Sequence, residues 1–235
     1  MTPLFDPPAL PVLPVEGGGG YPVARVFCVG RNYAAHAAEM GNDVDREAPF
    51  YFTKSAFSVV LSGAEVPYPP GTSDYHHEME FVIAIGAPAF QVSRAQASPA
   101  IFGYGCGLDM TRRDLQAVAK EKRRPWDVGK DVEGSAVLGP LTRVNTFGSV
   151  GAQRISLQVN GEVRQDATLA EMIHDCAGIV SDLSRLYHLR QGDVIMTGTP
   201  AGVGPVQPGD HLLGSVEGLS DVSLIVGPPA ATRGP

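Results

Sequence analysis

The sequence predicts a mixed-β fold with few helices. Three observations point there. Short apolar runs, β-branched or aromatic, recur along the 235 residues. They are punctuated by 28 glycines and 20 prolines, which is turn chemistry rather than low complexity. Asn160-Gly161 sits between two alternating stretches, the strongest short hairpin signal.

In chain order, residues 1–22 are rich in Pro and Gly, end near GGGG, and read as an extended arm without regular structure. VARVFCVG (23–30) reads as a buried strand closing on Gly30. AAHAAEMG (34–41) reads as one or two helical turns stopped by Gly41. FYFTK (50–54) is a strand, and EMEFVIAIG (78–86) is a strand that starts polar and turns apolar. Residues 93–102 suit a helix, YGCGLDM (104–110) a strand, and Thr111 to Arg124 a second helix. The basic run KEKRRP (120–125) fits that helix's negative end, before Pro125 stops it. ISLQVNGEVRQ (155–165) is the hairpin. Thr168 and Glu171 form a capping box ahead of a helical pattern from Leu169 to Leu186, which Gly178 is placed to break. GDVIMTG (192–198), a short strand entered from PVQPGDHL (205–212), and SDVSLIVG (220–227) close the fold. Residues 23–227 read as a single domain and 228–235 as a flexible tail.

Hydrophobic residues make up 43% and charged residues 18% of the chain, ordinary for a buried-core protein. A net charge of −7 argues against nucleic-acid binding, which needs a basic footprint. Three cysteines with no CxxC fit a reduced compartment rather than a disulfide framework or zinc site. The N-terminus lacks a basic n-region, and no apolar run is long enough to cross a bilayer. The expectation is a cytoplasmic protein.

Glu78 and Glu80 pose the first chemical question. Side chains at i and i+2 leave a strand on one face, and two like charges there repel unless a cation sits between them. No lysine or arginine is adjacent in sequence. Alone, the pattern is more often an exposed strand end than a metal site. Asp109 shifts that balance: three carboxylates at the ends of two apolar strands suit a hard divalent ion with positions left for substrate. Its competing role is a helix N-cap. His36 and Glu39, at i and i+3, can pair as an oriented base or as a solvated surface couple. Arg113 and Gln116 share the same spacing, and an arginine fork beside a metal suits a substrate carboxylate. Arg112 must then face elsewhere. Lys130 in VGKD reads as solvated on its own, and His76 and His77 read as structural. TGTPAGVGPV (197–206) is neither a P-loop nor a dinucleotide fingerprint, but it offers backbone N–H groups and the Thr199 hydroxyl.

Taken in order, VGRNYAAHAAEMG, HHEMEFVIAIG, GYGCGLDMTRRDLQ, RPWDVGKD and GDVIMTGTPAGVGPV resemble the fumarylacetoacetate hydrolase family over residues 23 to 227. DREAPFYFTK and PPGTSDYHHE favour its fumarylpyruvate-cleaving branch over the acylpyruvase and oxaloacetate decarboxylase branch. The resemblance implies a β-roll fold, a homodimer, and Mg²⁺ or Mn²⁺ held by Glu78, Glu80 and Asp109. It makes His36 and Glu39 the water-activating dyad, Lys130 an electrostatic stabiliser, and Arg113, Gln116 and Thr199 substrate contacts. The implied activity is hydrolysis of a carbon–carbon bond in a small 2,4-dioxo acid, releasing pyruvate and a second acid. Oxaloacetate decarboxylation or isomerisation on the same site is the alternative. A non-catalytic metal- or ligand-binding protein is the third reading, and the dyad beside Arg113, Gln116 and Lys130 speaks against it. The chain departs from the family pattern at Ser55, where proline is common, at DVEGSAVLGP, which lacks an aromatic near position 132, and at MIHDCAGIV (172–180).

Overall fold

The structure, a computed structural model, describes residues 3–6, 8–39 and 48–230. The helix stop expected at Gly41 and residues 231–235 of the expected tail lie outside these. The described elements are β1 (Val12–Pro14), β2 (Gly20–Pro22), β3 (Arg25–Gly30), α1 (Ala34–Glu39), β4 (Phe50–Lys54), β5 (Val59–Leu61), β6 (Ala64–Pro67), β7 (Tyr75–His77), β8 (Met79–Ile85), α2 (Arg94–Ala97), β9 (Ile101–Asp109), β10 (Thr111–Arg112), α3 (Arg113–Glu121), α4 (Asp127–Lys130), β11 (Ala136–Leu138), β12 (Thr142–Arg143), α5 (Val144–Phe147), β13 (Arg154–Val159), β14 (Glu162–Thr168), α6 (Cys176–Leu186), β15 (Asp193–Met196), β16 (Gly204–Pro205), β17 (His211–Val216) and β18 (Val222–Gly227).

The main sheet runs β4-β3-β15-β8-β9-β11-β5, with β12 paired to β9. A second sheet runs β14-β13-β17-β18-β6. Every residue of β8 is buried, because both faces of that strand are covered. Phe81, Ile83 and Ile85 join the larger core, shared with Ile155, Leu157 and Leu212 of the second sheet and with α6. Val82 and Ala84 face a smaller core with Val26, Cys28, Leu138 and Met196. β9 has the same two-sided character. Tyr104, Cys106 and Leu108 face the larger core. On its other side, glycines at 103, 105 and 107 admit close neighbours: a Cβ on Gly107 would lie 2.7 Å from Val82 Cγ2.

The smaller core is covered by the chain's beginning. Instead of an unstructured arm, residues 12–22 form an antiparallel hairpin, β1 with β2, that buries Leu13, Val15 and Tyr21. Its turn uses Gly17, Gly18 and Gly19 at φ of 80°, 107° and 100°, where side chains are strained. The Tyr21 hydroxyl accepts from the Gly192 N–H at 3.0 Å and donates to the Ile85 carbonyl at 2.7 Å.

Three helices differ from expectation. Of residues 93–102, only Arg94–Ala97 is α-helical and Ser98–Ala100 a 3-10 turn, because Ile101 and Phe102 already belong to β9. α3 begins at Arg113 rather than Thr111, because Thr111 and Arg112 pair with His76 and Tyr75 of β7. The Thr168–Glu171 box closes only a 3-10 turn, Leu169–Glu171. α6 has its own cap, Asp175, which accepts from the Gly178 N–H at 2.8 Å. Gly178 therefore lies in the first turn of α6 and breaks nothing. The Asn160-Gly161 hairpin forms as read. Cys28, Cys106 and Cys176 are all buried and free. Among the described residues, no helix is long and apolar enough to cross a membrane.

Candidate active site

The site is built at the mouth of the β8–β9 pair. Glu80 lies opposite Gly107 in the ladder, and the Asp109 N–H donates to the Glu78 carbonyl at 2.8 Å. Asp109 follows the glycine side of β9 at i+2 from Gly107, the side facing Val82. The ladder thus brings Glu80 on β8 beside Asp109 on β9, and Glu78, in the link between β7 and β8, completes the cluster of three carboxylates. Glu78, Glu80 and Asp109 are all buried and each offers an oxygen within 4.8 Å of the others.

Such a cluster needs positive charge, and distant parts of the chain supply it. Lys130, at the end of α4, is buried and spends all three ammonium hydrogens at the site. It donates to Glu78 Oε2 at 2.8 Å, Asp109 Oδ2 at 2.7 Å and Thr111 Oγ1 at 2.7 Å. Burial opposes its charge, but Asp109 and Glu78 more than offset that and hold the ammonium above its ordinary value. Arg113 donates through Nη2 to Glu78 and through Nη1 to Gln116 Oε1 at 2.7 Å. Against the effect of burial, Lys130 and Arg113 pull the Glu78 carboxyl well below the usual range. Glu80 behaves oppositely. Burial first, then Asp109 and Glu78, push it well above that range, and its Oε2 accepts the Gly198 N–H at 2.6 Å. Gly198 has φ of 95°, and a Cβ there would lie 2.8 Å from Asn32 Cβ, so only glycine brings this amide so close.

Lys54 is a member of this site that the sequence reading passed over. Its ammonium is buried 2.9 Å from Asp109 Oδ1. Its three hydrogens are directed to Met110 O, Lys130 O and Ser135 Oγ. Asp109 Oδ1 therefore gains charge neutralisation but no hydrogen-bond partner among the described residues. The only sequence signal is a lysine ending the aromatic strand FYFTK. Ser55, one of the departures from the family pattern, donates its N–H to Asp131 Oδ1 at 2.9 Å, a bond that proline could not make. This ties the Lys54 loop to the Lys130 loop.

His36 and Glu39 lie on α1 and meet as their spacing predicts, His36 Nδ1 to Glu39 Oε2 at 3.2 Å. Glu39 also accepts the Gly202 N–H at 3.1 Å. Asn32 fixes the start of this segment, donating to Thr197 O at 2.8 Å and accepting the His174 N–H at 2.7 Å. Burial lowers the His36 pKa, with Glu78 and Glu39 pulling the other way. Nδ1–H donating to Glu39 leaves Nε2 with an available lone pair. Thr199 is oriented by Gln165, another residue missed in the sequence. Gln165 Nε2 donates to Thr199 Oγ1 at 2.8 Å, which leaves the hydroxyl hydrogen to point elsewhere.

One pocket is lined by His36, Glu78, Glu80, Arg113, Gln116, Lys130 and Thr199, so the structure brings together seven of the nine candidate residues at its wall. Asp109 lies buried beside Glu78, and Glu39 stands behind His36. The residues set aside also lie as read: Arg112 donates to Pro70 O, His76 pairs with Asp74, and His77 with Gln165. Three buried carboxylates, with Asp109 Oδ1 lacking a hydrogen bond among the described residues, make an all-oxygen donor set that fits a hard divalent cation such as Mg²⁺ or Mn²⁺.

Residues 25–226 match the family model described as fumarylacetoacetate (FAA) hydrolase C-terminal. The chain belongs to the fumarylacetoacetate hydrolase family. Within this family of enzymes it is 52% identical over 192 residues to a fumarylpyruvate hydrolase from Ralstonia sp, covering 80% of this chain and 99% of that one. It is 39% identical over 201 residues to an oxaloacetate tautomerase from Escherichia coli, covering 85% and 91%. The crystal structure of fumarylpyruvate hydrolase from Pseudomonas aeruginosa in complex with Mn²⁺ and pyruvate superposes with a TM-score of 0.93 at 46% identity, covering 97% of this chain and all of that one. The mostly-β architecture described above is therefore the family fold.

Proposed function

We propose that this enzyme is a divalent-metal-dependent hydrolase of acylpyruvates, 2,4-dioxo acids such as fumarylpyruvate. Water adds its hydroxyl to the acyl carbonyl carbon, the carbon–carbon bond to the pyruvyl methylene breaks, and that carbon takes up the proton. The observation that carries this reading is the placement of the buried carboxylate triad and the His36–Glu39 pair at a single pocket. The relatives named above add support, since two are fumarylpyruvate hydrolases and one was crystallised with Mn²⁺ and pyruvate.

Glu78, Glu80 and Asp109 would hold Mg²⁺ or Mn²⁺. When bound, the metal supplies Lewis-acid stabilisation to charge that develops on the 2-oxo oxygen as the bond breaks. His36, kept neutral by burial and oriented by Glu39, accepts a proton from water at Nε2 and returns it to the leaving carbon. Arg113, whose Nε–H has no hydrogen-bond partner among the described residues, and Gln116 bind the substrate's carboxylate. Thr199 contributes its remaining hydroxyl hydrogen. Lys130 keeps Glu78 and Asp109 in register, and it can stabilise an oxyanion only by exchanging one of its three present hydrogen bonds.

The oxaloacetate tautomerase relative favours a second reading on the same site. Oxaloacetate carries the same carboxylate and 2-oxo handle, and its tautomerisation or decarboxylation needs no attacking water. One assay separates the two. Metal is stripped with chelator, Mg²⁺ or Mn²⁺ is returned, and ultraviolet loss of fumarylpyruvate, acetylpyruvate and oxaloacetate is followed in parallel. Metal-dependent release of pyruvate from a dioxo acid is expected; turnover of oxaloacetate alone would move the enzyme to the second reading. The same proposal has the protein acting in the cytoplasm as a homodimer, and light scattering at twice the monomer mass of 24.8 kDa checks the latter.

A further inference from the structure

Two cations at the pocket are left over once the site above is assembled. Glu78 and Asp109 are already matched by Lys54, Lys130 and Arg113. Arg31 and Lys120 line the same pocket, yet among the described residues neither forms an ion pair or donates a hydrogen bond. Both are only partly exposed. Each lies over an aromatic ring instead. The Arg31 guanidinium is 5.8 Å from the Phe50 ring centre, and Lys120 Nζ is 5.0 Å from that of Trp126. Phe50 and Trp126 meet edge to face at 5.0 Å, and Phe52 continues the wall.

Arg31 has φ of 59°, a conformation that strains a side-chain-bearing residue, and such strain collects at functional sites. Burial, then the nearby charges of Arg113 and Arg31, bring the Lys120 ammonium down to about 8. Positive charges are thus held together at a cost that an anion between them would relieve.

We propose that Arg31 and Lys120 form a subsite for a second carboxylate, at the far end of the acyl chain, with Phe50, Phe52 and Trp126 flanking a flat conjugated chain between the two ends. This rests on the hydrolase reading for the substrate's direction, with its dioxo end at the carboxylate triad. The preferred substrates are then acylpyruvates whose acyl group is itself an unsaturated acid, over those ending in methyl.

Trp126 is the chain's single tryptophan, so its fluorescence reports on this subsite directly. The test titrates the metal-loaded protein with fumarate and with crotonate, which has the same carbon skeleton but a methyl in place of the second carboxylate. Fumarate is expected to bind about tenfold to a hundredfold more tightly, the range of a charge-assisted contact. That preference should collapse in Lys120→Gln and in Arg31→Gln. In turnover, each variant should lower the ratio of kcat/KM for fumarylpyruvate over acetylpyruvate by a similar factor, a ratio that partial misfolding does not move. Equal binding of the two acids by the unaltered protein, or a preference that survives both substitutions, would overturn the subsite. Failure to cleave either acylpyruvate while fumarate is still preferred would instead remove the hydrolase reading and leave the anion subsite standing.

Discussion

His36 and Glu80 carry opposite electrostatic consequences. A general base must be unprotonated, and burial holds His36 below the ordinary imidazole value of 6.5. The acid limb of the kcat/KM profile should therefore fall below pH 6.5. Glu39→Gln should move it lower still, because Glu39 raises the His36 pKa; a limb above 6.5 would exclude His36 as the base. His36→Ala should cut turnover of an acylpyruvate by about two to four orders of magnitude, while oxaloacetate decarboxylation, needing no water, should fall much less. Glu80 has its pKa raised in the folded state. Its contribution to stability is present below the unfolded value near 4.5 and is lost as pH rises through the folded one. Glu80→Gln is thus expected to raise the Tm of chelator-treated protein at pH 8 while abolishing the Tm increase on adding Mn²⁺. Differential scanning fluorimetry reads both, and a variant that still responds to Mn²⁺ would exclude Glu80 as a ligand. At this scale the sequence is most legible where spacing is local. His36–Glu39 and Arg113–Gln116 each sit on one helix, and Glu78 lies two residues before Glu80, just ahead of β8. Lys54 and Gln165 are invisible because their partners, Asp109 and Thr199, lie 55 and 34 residues away along the chain.

Strands β8 and β9 turn those local pairs into a site. Gly107 lets Val82 approach, and its neighbours Glu80 across the ladder and Asp109 along the strand inherit that geometry. Gly107→Ala should cost about 1–3 kcal/mol through overpacking, and calorimetry should show Mn²⁺ affinity falling with it; unchanged affinity would mean the carboxylates tolerate a shift in ladder spacing. The apolar runs of both strands are readable from composition, and Asn160-Gly161 announces its hairpin through turn chemistry alone. The long helix pattern from Leu169 misleads because Asp175 offers a second, competing cap, so the chain spends one 3-10 turn before α6 starts. Short strands such as β7 and β16 have no periodicity to read; they exist because they pair with each other.

The whole molecule depends on its first residues more than their composition suggests. Leu13, Val15 and Tyr21 cover the smaller core, on the side of β8 that ends at Glu80. Pro- and Gly-rich sequence reads as loose chain, yet three glycines in one turn are what let β1 fold back on β2. Leu13→Ala should cost about 2–5 kcal/mol of stability, measured by urea denaturation; an unchanged midpoint would mean the hairpin adds nothing to the core. Sheet order is the part least available from sequence. β15 inserts between β3 and β8, more than 100 residues away in the chain, and nothing local in GDVIMTG encodes that position.

The central claim is that water, activated beside a carboxylate-held metal, cleaves an acylpyruvate. Turnover of fumarylpyruvate in ¹⁸O-labelled water with Mn²⁺, followed by mass spectrometry of the products, tests it most directly. One ¹⁸O in the carboxylate of the released fumarate, with pyruvate formed in equal amount, is the expected result. Release of fumarate without label, or no cleavage by a protein that still interconverts oxaloacetate tautomers, would contradict it.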